Sequence, residues 1–408
     1  MRTLLLVPPL IDAASRYGGP GGLGALDFPA ALAQAAAVVG NSKLIDAPAD
    51  ELKSSQVILL ARGFELCAVS ADLPNLQAAL AVAAGLKGAY PRMMLGLVGV
   101  SDSALQERAL APAAPFDFAC GHDFDQILRE TANSRPFPEI RGIAYKSDGE
   151  ITRTPCRNGA DSDREIASVL EVYRRDLTLD HYQLPYLRFP HLTLPTAAGA
   201  RRLRPEAVVA DVQRALSVYP QLQEIFLDDD SITASADRAE SIARGLSTTG
   251  ISWSCRAAAN TPPQLLKKLK ERGLRLLVLD CASRTIEPSL MSAFAHHCRA
   301  LGIRVHGRFL LGGPGATRQT LRQTIRHACA LDLDSIHVDA QRPTEHADID
   351  DEDVRRGLFR LYARFYLRPR AFWRAVQAIW RHPRQRARRL HIGRQFLRFL
   401  WNGLEVAG

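Results

Sequence analysis

The chain has 408 residues, 47% of them hydrophobic and 23% charged, an ordinary globular balance with length for two or three domains. No run of about 18 apolar residues occurs, which argues against a spanning helix. The net charge of +9 is concentrated at one end. Residues 351–408 hold fourteen arginines, no lysine and four acids, so the body before them is close to neutral.

The start, Met1-Arg-Thr-Leu-Leu-Leu-Val-Pro-Pro9, reads as a buried first strand and not as a signal peptide, because two prolines interrupt it and Asp12 follows. Strands are predicted at Thr3–Val7, Ser42–Asp46, Leu66–Ser70, Met93–Val98 and Asp117–Cys120. Helices fall between them at Pro29–Val39, Leu73–Leu86, Ser103–Leu110 and Asp123–Asn133. Short apolar strands alternating with helices indicate a doubly wound, Rossmann-like sheet. A hairpin over Ile140–Arg153, turning at Asp148-Gly149, closes this domain (residues 1–155), and 156–185 form a linker with a polar stretch at Asn158–Asp163.

Residues 186–345 repeat the alternation. Strands are predicted at His191–Leu194, Glu224–Asp228, Ser252–Ala257, Leu274–Asp280, Arg304–Leu311 and Ser335–Asp339, with helices from Pro205–Val218 to Gln319–Leu331. Six units are too few for a closed eight-stranded barrel and suit a partial β/α barrel, whose chemistry belongs at the C-terminal strand ends. Residues 346–408 read as a basic helical tail. The fold class is therefore α/β: a doubly wound domain, a partial barrel and a helical tail. The seven cysteines, at 67, 120, 156, 255, 281, 298 and 329, are scattered and odd in number, which fits reduced thiols in the cytosol.

Several segments, in order, carry a resemblance. They are Leu44-Ile-Asp-Ala-Pro48, Glu171-Val-Tyr-Arg-Arg-Asp-Leu-Thr178, Tyr186-Leu-Arg-Phe-Pro190, Phe226-Leu-Asp-Asp-Asp230, Trp253-Ser-Cys-Arg256, Gly302–Gly315 and Arg388–Leu400. The chain resembles radical-SAM proteins with a cobalamin-binding domain, in particular the hopanoid-biosynthesis group whose members are cyclitol ether synthases. The resemblance implies a 4Fe-4S cluster held by a C-x-x-x-C-x-x-C loop, S-adenosylmethionine on that cluster, and possible cobalamin binding. Yet Ala197-Ala-Gly-Ala-Arg-Arg-Leu-Arg204, which joins the first barrel strand to Pro205, holds no cysteine. Two family glutamates are also replaced, by Ala282 and Ala316. The cluster is accordingly expected to be absent.

By the same resemblance, the cofactor-binding positions are Asp228, Asp229, Arg256 and the Gly312-Gly313-Pro314-Gly315 turn. Asp228 and Asp229 would face the amino group of the methionine moiety; the alternative for Asp228–Asp230 is helix capping in a solvated turn. The glycine turn can cradle an anion or lie against a nucleobase, or can be a tight strand-to-helix turn. Cys255, Cys281, His306 and His337 on successive strands suggest a replacement zinc site or ordinary core residues. His122 is the sole histidine of the first 180 residues and lacks a cobalamin-ligating motif. The tail interleaves arginines such as Arg356, Arg360 and Arg364 with Phe359, Tyr362, Phe365 and Tyr366, a pattern suited to core packing or to an anionic bilayer surface. No nucleic-acid-reading motif accompanies it.

Three functions follow from these readings: an accessory or ligand-binding protein in hopanoid head-group tailoring without radical chemistry, an active S-adenosylmethionine- or cobalamin-dependent enzyme, or a peripheral membrane-binding module. The expected partner is a hopanoid-type lipid or its head-group precursor. The expected location is the cytoplasm, with peripheral contact at the inner face of the membrane through residues 351–408.

Overall fold

The computed structural model describes residues 1–9, 26–71, 75–121, 124–147, 149–156, 167–198, 201–282, 287–313, 315–341, 348–369, 393–394 and 396. His122, Asp148, the polar stretch Asn158–Asp163, Pro314 and most of the tail lie outside these. The chain divides into two compact units. The first is Met1–Ser15, Phe28–Tyr182 and Thr193–Leu203; the second is Arg16–Asp27, Gln183–Leu192 and Arg204–Gly408.

The first unit is built on β1 (Thr3–Val7), α1 (Ala30–Val39), β2 (Ser42–Asp46), α2 (Ser54–Leu60), β3 (Leu66–Ser70), α3 (Leu76–Ala89), β4 (Met94–Val98), α4 (Ser103–Ala109), β5 (Phe118–Cys120), α5 (Phe124–Ala132), β6 (Ile143–Ser147), β7 (Glu150–Arg153) and α6 (Leu170–Asp176). The sheet order is β2-β1-β3-β4-β5-β6-β7. The first five strands pair in parallel and the closing hairpin is antiparallel. Leu4, Leu5 and Leu6 on β1 and Cys67, Ala68 and Val69 on β3 are all buried, so both faces of the sheet are covered. Gly96 is obligatory on β4, because a Cβ there would lie 2.1 Å from the Phe118 ring. The strand order reverses between β1 and β3, where ligands of doubly wound folds bind.

At the end of β2, Asp46 is buried and accepts a hydrogen bond from the Tyr182 hydroxyl at 3.0 Å. Burial pushes its carboxyl up to about 6, against the opposing effect of that hydrogen bond. The Tyr182 ring stacks on Phe28 at 4.1 Å.

The remaining elements are β8 (His191–Pro195), β9 (Ala197–Ala198), β10 (Arg201–Arg202), α7 (Pro205–Val218), β11 (Glu224–Asp228), α8 (Ala236–Leu246), β12 (Ser252–Ala257), α9 (Pro263–Glu271), β13 (Leu274–Asp280), α10 (Pro288–Ala300), β14 (Arg304–Gly312), α11 (Arg318–Ala330), β15 (Ser335–Gln341) and α12 (Asp351–Tyr366). The six-stranded sheet runs β15-β14-β13-β12-β11-β8, with β11 to β15 parallel. It is the half-barrel that the six strand–helix units predict.

The sheet ends at β15 for a visible reason. Tyr362 and Tyr366 of α12 place their hydroxyls on that strand's outer edge. Val338 N–H donates to Tyr362 Oη at 3.2 Å, Ile336 N–H donates to Tyr366 Oη at 3.0 Å, and Tyr366 Oη donates to the Ile336 carbonyl at 3.1 Å. Backbone groups that would pair with a seventh strand are satisfied by side chains instead. Tyr362 and Phe365 are buried, so these tail aromatics pack on the sheet. Three elements escape the sequence reading: helix α2, helix α6 within the expected linker 156–185, and the short hairpin β9–β10.

Candidate functional site

Side chains alternate along a strand, so the register decides which residues share a face. Arg256 pairs with Val278, Val278 with His306, and His306 with Ser335. Asp228 joins this row through its ion pair to Arg256 at 3.0 Å. The next row sets Asp280 beside Arg308 and Arg308 beside His337, and the one after sets Leu310 beside Asp339. One face of the half-barrel thus carries, toward its C-terminal end, Asp228, Arg256, Asp280, Arg308, His337 and Asp339.

Beneath this rim the face is filled. Buried Glu224 of β11 accepts from Arg275 Nε at 2.8 Å, from the Ser254 hydroxyl, and from the Arg188 backbone N–H at 2.6 Å. Arg275 also donates to the Tyr186 carbonyl at 2.7 Å, and Arg188 donates to Ser252 Oγ at 3.0 Å. These bonds hold the segment Leu184–Arg188 against the sheet. Leu184 and Leu187 pack with Phe226, Leu276 and Val278, and the Tyr186 ring stacks on His306 with centroids 3.9 Å apart. Burial raises the Tyr186 phenol; Asp27 and Asp228 add to this, while Arg256 and Arg308 oppose it.

The structure sorts the residues singled out from the sequence. Asp228 and Arg256 meet. Burial opposes the Arg256 charge, but Asp228 and Asp27 hold it above its ordinary value. Its Nε is buried and makes no hydrogen bond among the described residues. Asp229 does not face the rim: one residue along, it lies on the other face, where Arg238 of α8 donates to its carboxylate at 3.0 Å and Ser231 N–H caps it at 3.2 Å. Gly312 and Gly313 are required by the neighbouring strand. At φ of +85° and +80°, their missing Cβ atoms would lie 1.9 Å from the Gln341 carbonyl oxygen and 2.7 Å from its Oε1. Pro314 lies outside the described residues. Gly315 faces open space. Thr317 caps α11 by accepting from Thr320 N–H at 3.2 Å, so this turn has a sufficient structural reason without a ligand.

The cysteine and histidine set is also divided. Cys255 lies beside Leu227 and Leu277, on the face opposite Arg256, and Cys281 reaches the side on which Gly307 packs. His306 and His337 lie on the rim face. Two thiols and two imidazoles on opposite sides of one sheet cannot share a zinc ion. Burial pushes the Cys281 thiol up to about 12 and raises Cys255 as well, so neither is a thiolate at neutral pH.

Where the resemblance implies a cluster loop, the chain forms the hairpin β9–β10, with Arg201 paired to Ala198 and Arg202 to Ala197. Leu203 N–H closes it on the Thr196 carbonyl at 2.9 Å. Arg201 is tied to Asp125 at 3.1 Å, both nearly buried. A four-iron cluster takes thiolate ligands. The seven cysteines are distributed over the two units, and among the described residues no three His, Cys, Asp or Glu side chains group as metal ligands. Among the described residues no set of thiols is gathered as a cluster would require.

Comparison with solved structures places this architecture. The chain is similar over 83% of its length to TsrM from Kitasatospora setae, a radical S-adenosylmethionine methyltransferase, in its complex with tryptophan and an aza analogue of S-adenosylmethionine. The TM-score is 0.57, with 15% identity and 73% of that chain covered. The same enzyme with cobalamin and a 4Fe-4S cluster bound gives a TM-score of 0.56, at 15% identity and 75% coverage of that chain. The fold is similar to the radical-SAM/cobalamin fold of TsrM. A Pyrococcus horikoshii protein named as an uncharacterized methyltransferase is 23% identical over 372 residues, covering 82% of this chain and 79% of the relative. No protein-family model matches.

The unspent Arg256 Nε suits a carboxylate, and the Asp228 carboxylate suits an ammonium, the two charges of an amino-acid moiety. Residues 10–25 and 72–74, which follow β1 and β3 in the chain, lie outside the described residues.

Proposed function

We propose that this protein is a cluster-free relative of the cobalamin-type radical-SAM proteins. In this reading it binds a hopanoid-type lipid or its head-group precursor and serves head-group tailoring without radical chemistry. The observation that carries the first part is the hairpin β9–β10, a cysteine-free connection fastened through Arg201 and Asp125 where a cluster loop would be needed. The order of the resembling segments supports the hopanoid assignment. Anaerobic reconstitution with iron and sulfide tests the first part: a stoichiometric four-iron spectrum with reductive cleavage of S-adenosylmethionine overturns it. Tryptophan fluorescence during titration with bacteriohopanetetrol in detergent tests the second, and the absence of saturable change removes it.

A second reading, methyl transfer that uses S-adenosylmethionine or cobalamin without a cluster, is favoured by the Asp228–Arg256 pair and by the two methyltransferase relatives. Calorimetric titration with each cofactor distinguishes the two readings, since no heat with either eliminates this one. Peripheral membrane contact through residues 351–408 remains a proposal that rests on their charge. Equal sedimentation with anionic liposomes, with and without those residues, rejects it.

A further inference from the structure

We propose that the N-terminal end of the half-barrel's inner face binds a phosphate group through Arg188, Lys270 and Arg304. This site lies at the opposite end of the strands from the Asp228–Arg256 rim and is independent of the head-group reading. Glu224, Ser252 and Arg304 are the first residues of β11, β12 and β14. Register sets Arg304 beside Leu276, on the face that carries His306 and Arg308. A register shift at Trp253 and Ser254 interrupts the pairing of β12 with β13, and Arg275 thereby reaches the same face, where its Nε donates to Glu224 at 2.8 Å. Arg188 joins through its backbone N–H on Glu224 and its guanidinium on Ser252. The Lys270 ammonium donates to the Gly302 carbonyl at 2.8 Å, two residues before Arg304.

The charges of this group do not balance. Burial lowers the Arg188, Lys270 and Arg304 side chains from their ordinary values, and neighbouring cations lower each further: Arg275 acts on Arg188, Arg188 with Arg275 and Arg304 on Lys270, and Arg275 with Arg188 on Arg304. The carboxylates that oppose this are Glu224 at Arg188, and Asp334 with Glu224 at Arg304. Four cations thus face two acids. Arg275 is spent inside the fold, on Glu224 and on the Tyr186 carbonyl. Arg304, by contrast, is exposed and makes no hydrogen bond or ion pair among the described residues, and Arg188 and Lys270 beside it are half-buried. A cluster kept only for stability pairs its charges, because crowded like charges repel. A phosphate monoester carries a charge of about −1.5 to −2 at pH 7, which matches the surplus of two, whereas a carboxylate cancels only half of it. Guanidinium forks and an ammonium are also the donors that phosphate oxygens accept from.

The test follows urea unfolding of the full chain at pH 7.5 and low ionic strength, with inorganic phosphate as the probe and sodium chloride at matched ionic strength as the control. Arg304→Gln removes the exposed cation, and Arg322→Gln, at an exposed arginine of α11, removes the same charge elsewhere. Phosphate should raise the wild-type midpoint beyond chloride, R304Q should weaken phosphate roughly tenfold, and R322Q should leave it unchanged. Without phosphate, R304Q should unfold at a higher urea concentration than wild type, because it relieves repulsion; an arginine serving stability alone would lower the midpoint. Two further arms separate the sources of the group. Protection by glycerol 3-phosphate that R304Q weakens assigns it to a soluble monoester, and sedimentation with phosphatidylcholine vesicles containing phosphatidic acid that R304Q weakens assigns it to a lipid headgroup. No phosphate protection beyond chloride, protection that R304Q leaves intact or R322Q weakens equally, or a lowered R304Q midpoint without phosphate, overturns the proposal.

Discussion

Arg201 Nη2 lies 3.1 Å from Asp125 Oδ2, joining the hairpin after β8 to the first turn of α5, and both side chains are nearly out of water. A pair so placed contributes little net stability against an apolar replacement, yet losing one partner strands the other's charge. Arg201→Leu or Asp125→Leu is expected to cost about 3 kcal/mol each. The Arg201→Leu/Asp125→Leu double variant should cost clearly less than their sum. Urea denaturation followed by circular dichroism measures this; additive losses would show that the two side chains do not interact.

The same reasoning applies to Glu224, which is fully buried and holds Arg275, Ser254 and Arg188 together. Glu224→Gln should destabilise the half-barrel by about 3–5 kcal/mol, because Arg275 loses its counter-charge in the interior. It should also loosen Leu184–Arg188, seen as faster amide exchange at Arg188. Protection there equal to wild type would mean that the segment is held by its leucines alone.

The glycine turn offers a contrast between two nearby positions. Gly312→Ala should cost on the order of 3 kcal/mol, since the new Cβ meets the β15 backbone. Gly315→Ala meets open space and carries only the penalty for φ of +71°, about 1 kcal/mol. Equal losses at the two sites would refute a strand-contact role for Gly312.

On the outer edge of β15, Tyr362→Phe leaves the Val338 N–H buried without a partner and should cost about 1–3 kcal/mol. Tyr366→Phe removes a donor and an acceptor together and should cost at least as much. The double variant opens the edge, so concentration-dependent association is expected in sedimentation velocity. A strictly monodisperse double variant would show that α12 shields the edge without its hydroxyls.

Asp46 predicts a pH dependence. Its carboxyl stands near 6 in the fold against an ordinary value of 3.8, so the folded state binds the proton more tightly than the unfolded one. Its stabilising contribution is complete below about 4 and is lost as pH rises through about 6. Asp46→Asn keeps a neutral acceptor for Tyr182 and should gain on the order of 2–3 kcal/mol over wild type at pH 7.5, with little difference at pH 4. The comparison of urea midpoints at the two pH values reads this directly, and a gain equal at both would exclude Asp46 as the titrating group.

The order of strands and helices was legible in the chain. Apolar runs such as Leu274–Asp280 and amphipathic stretches such as Pro205–Val218 are local patterns, and they fixed an α/β doubly wound sheet followed by a half-barrel. The missing cysteines between Thr196 and Arg204 were equally plain. What sequence could not supply was the face on which each side chain falls. Asp228 and Asp229 are adjacent and chemically alike, yet one meets Arg256 and the other meets Arg238. His337, Asp339 and Arg308 carry no motif, and only the pairing of β14 with β15 brings them together. Local periodicity sets the elements because it depends on neighbours three or four residues away. The site depends on strand register and on contacts over tens of residues, where a shift of one position sends every side chain to the opposite face.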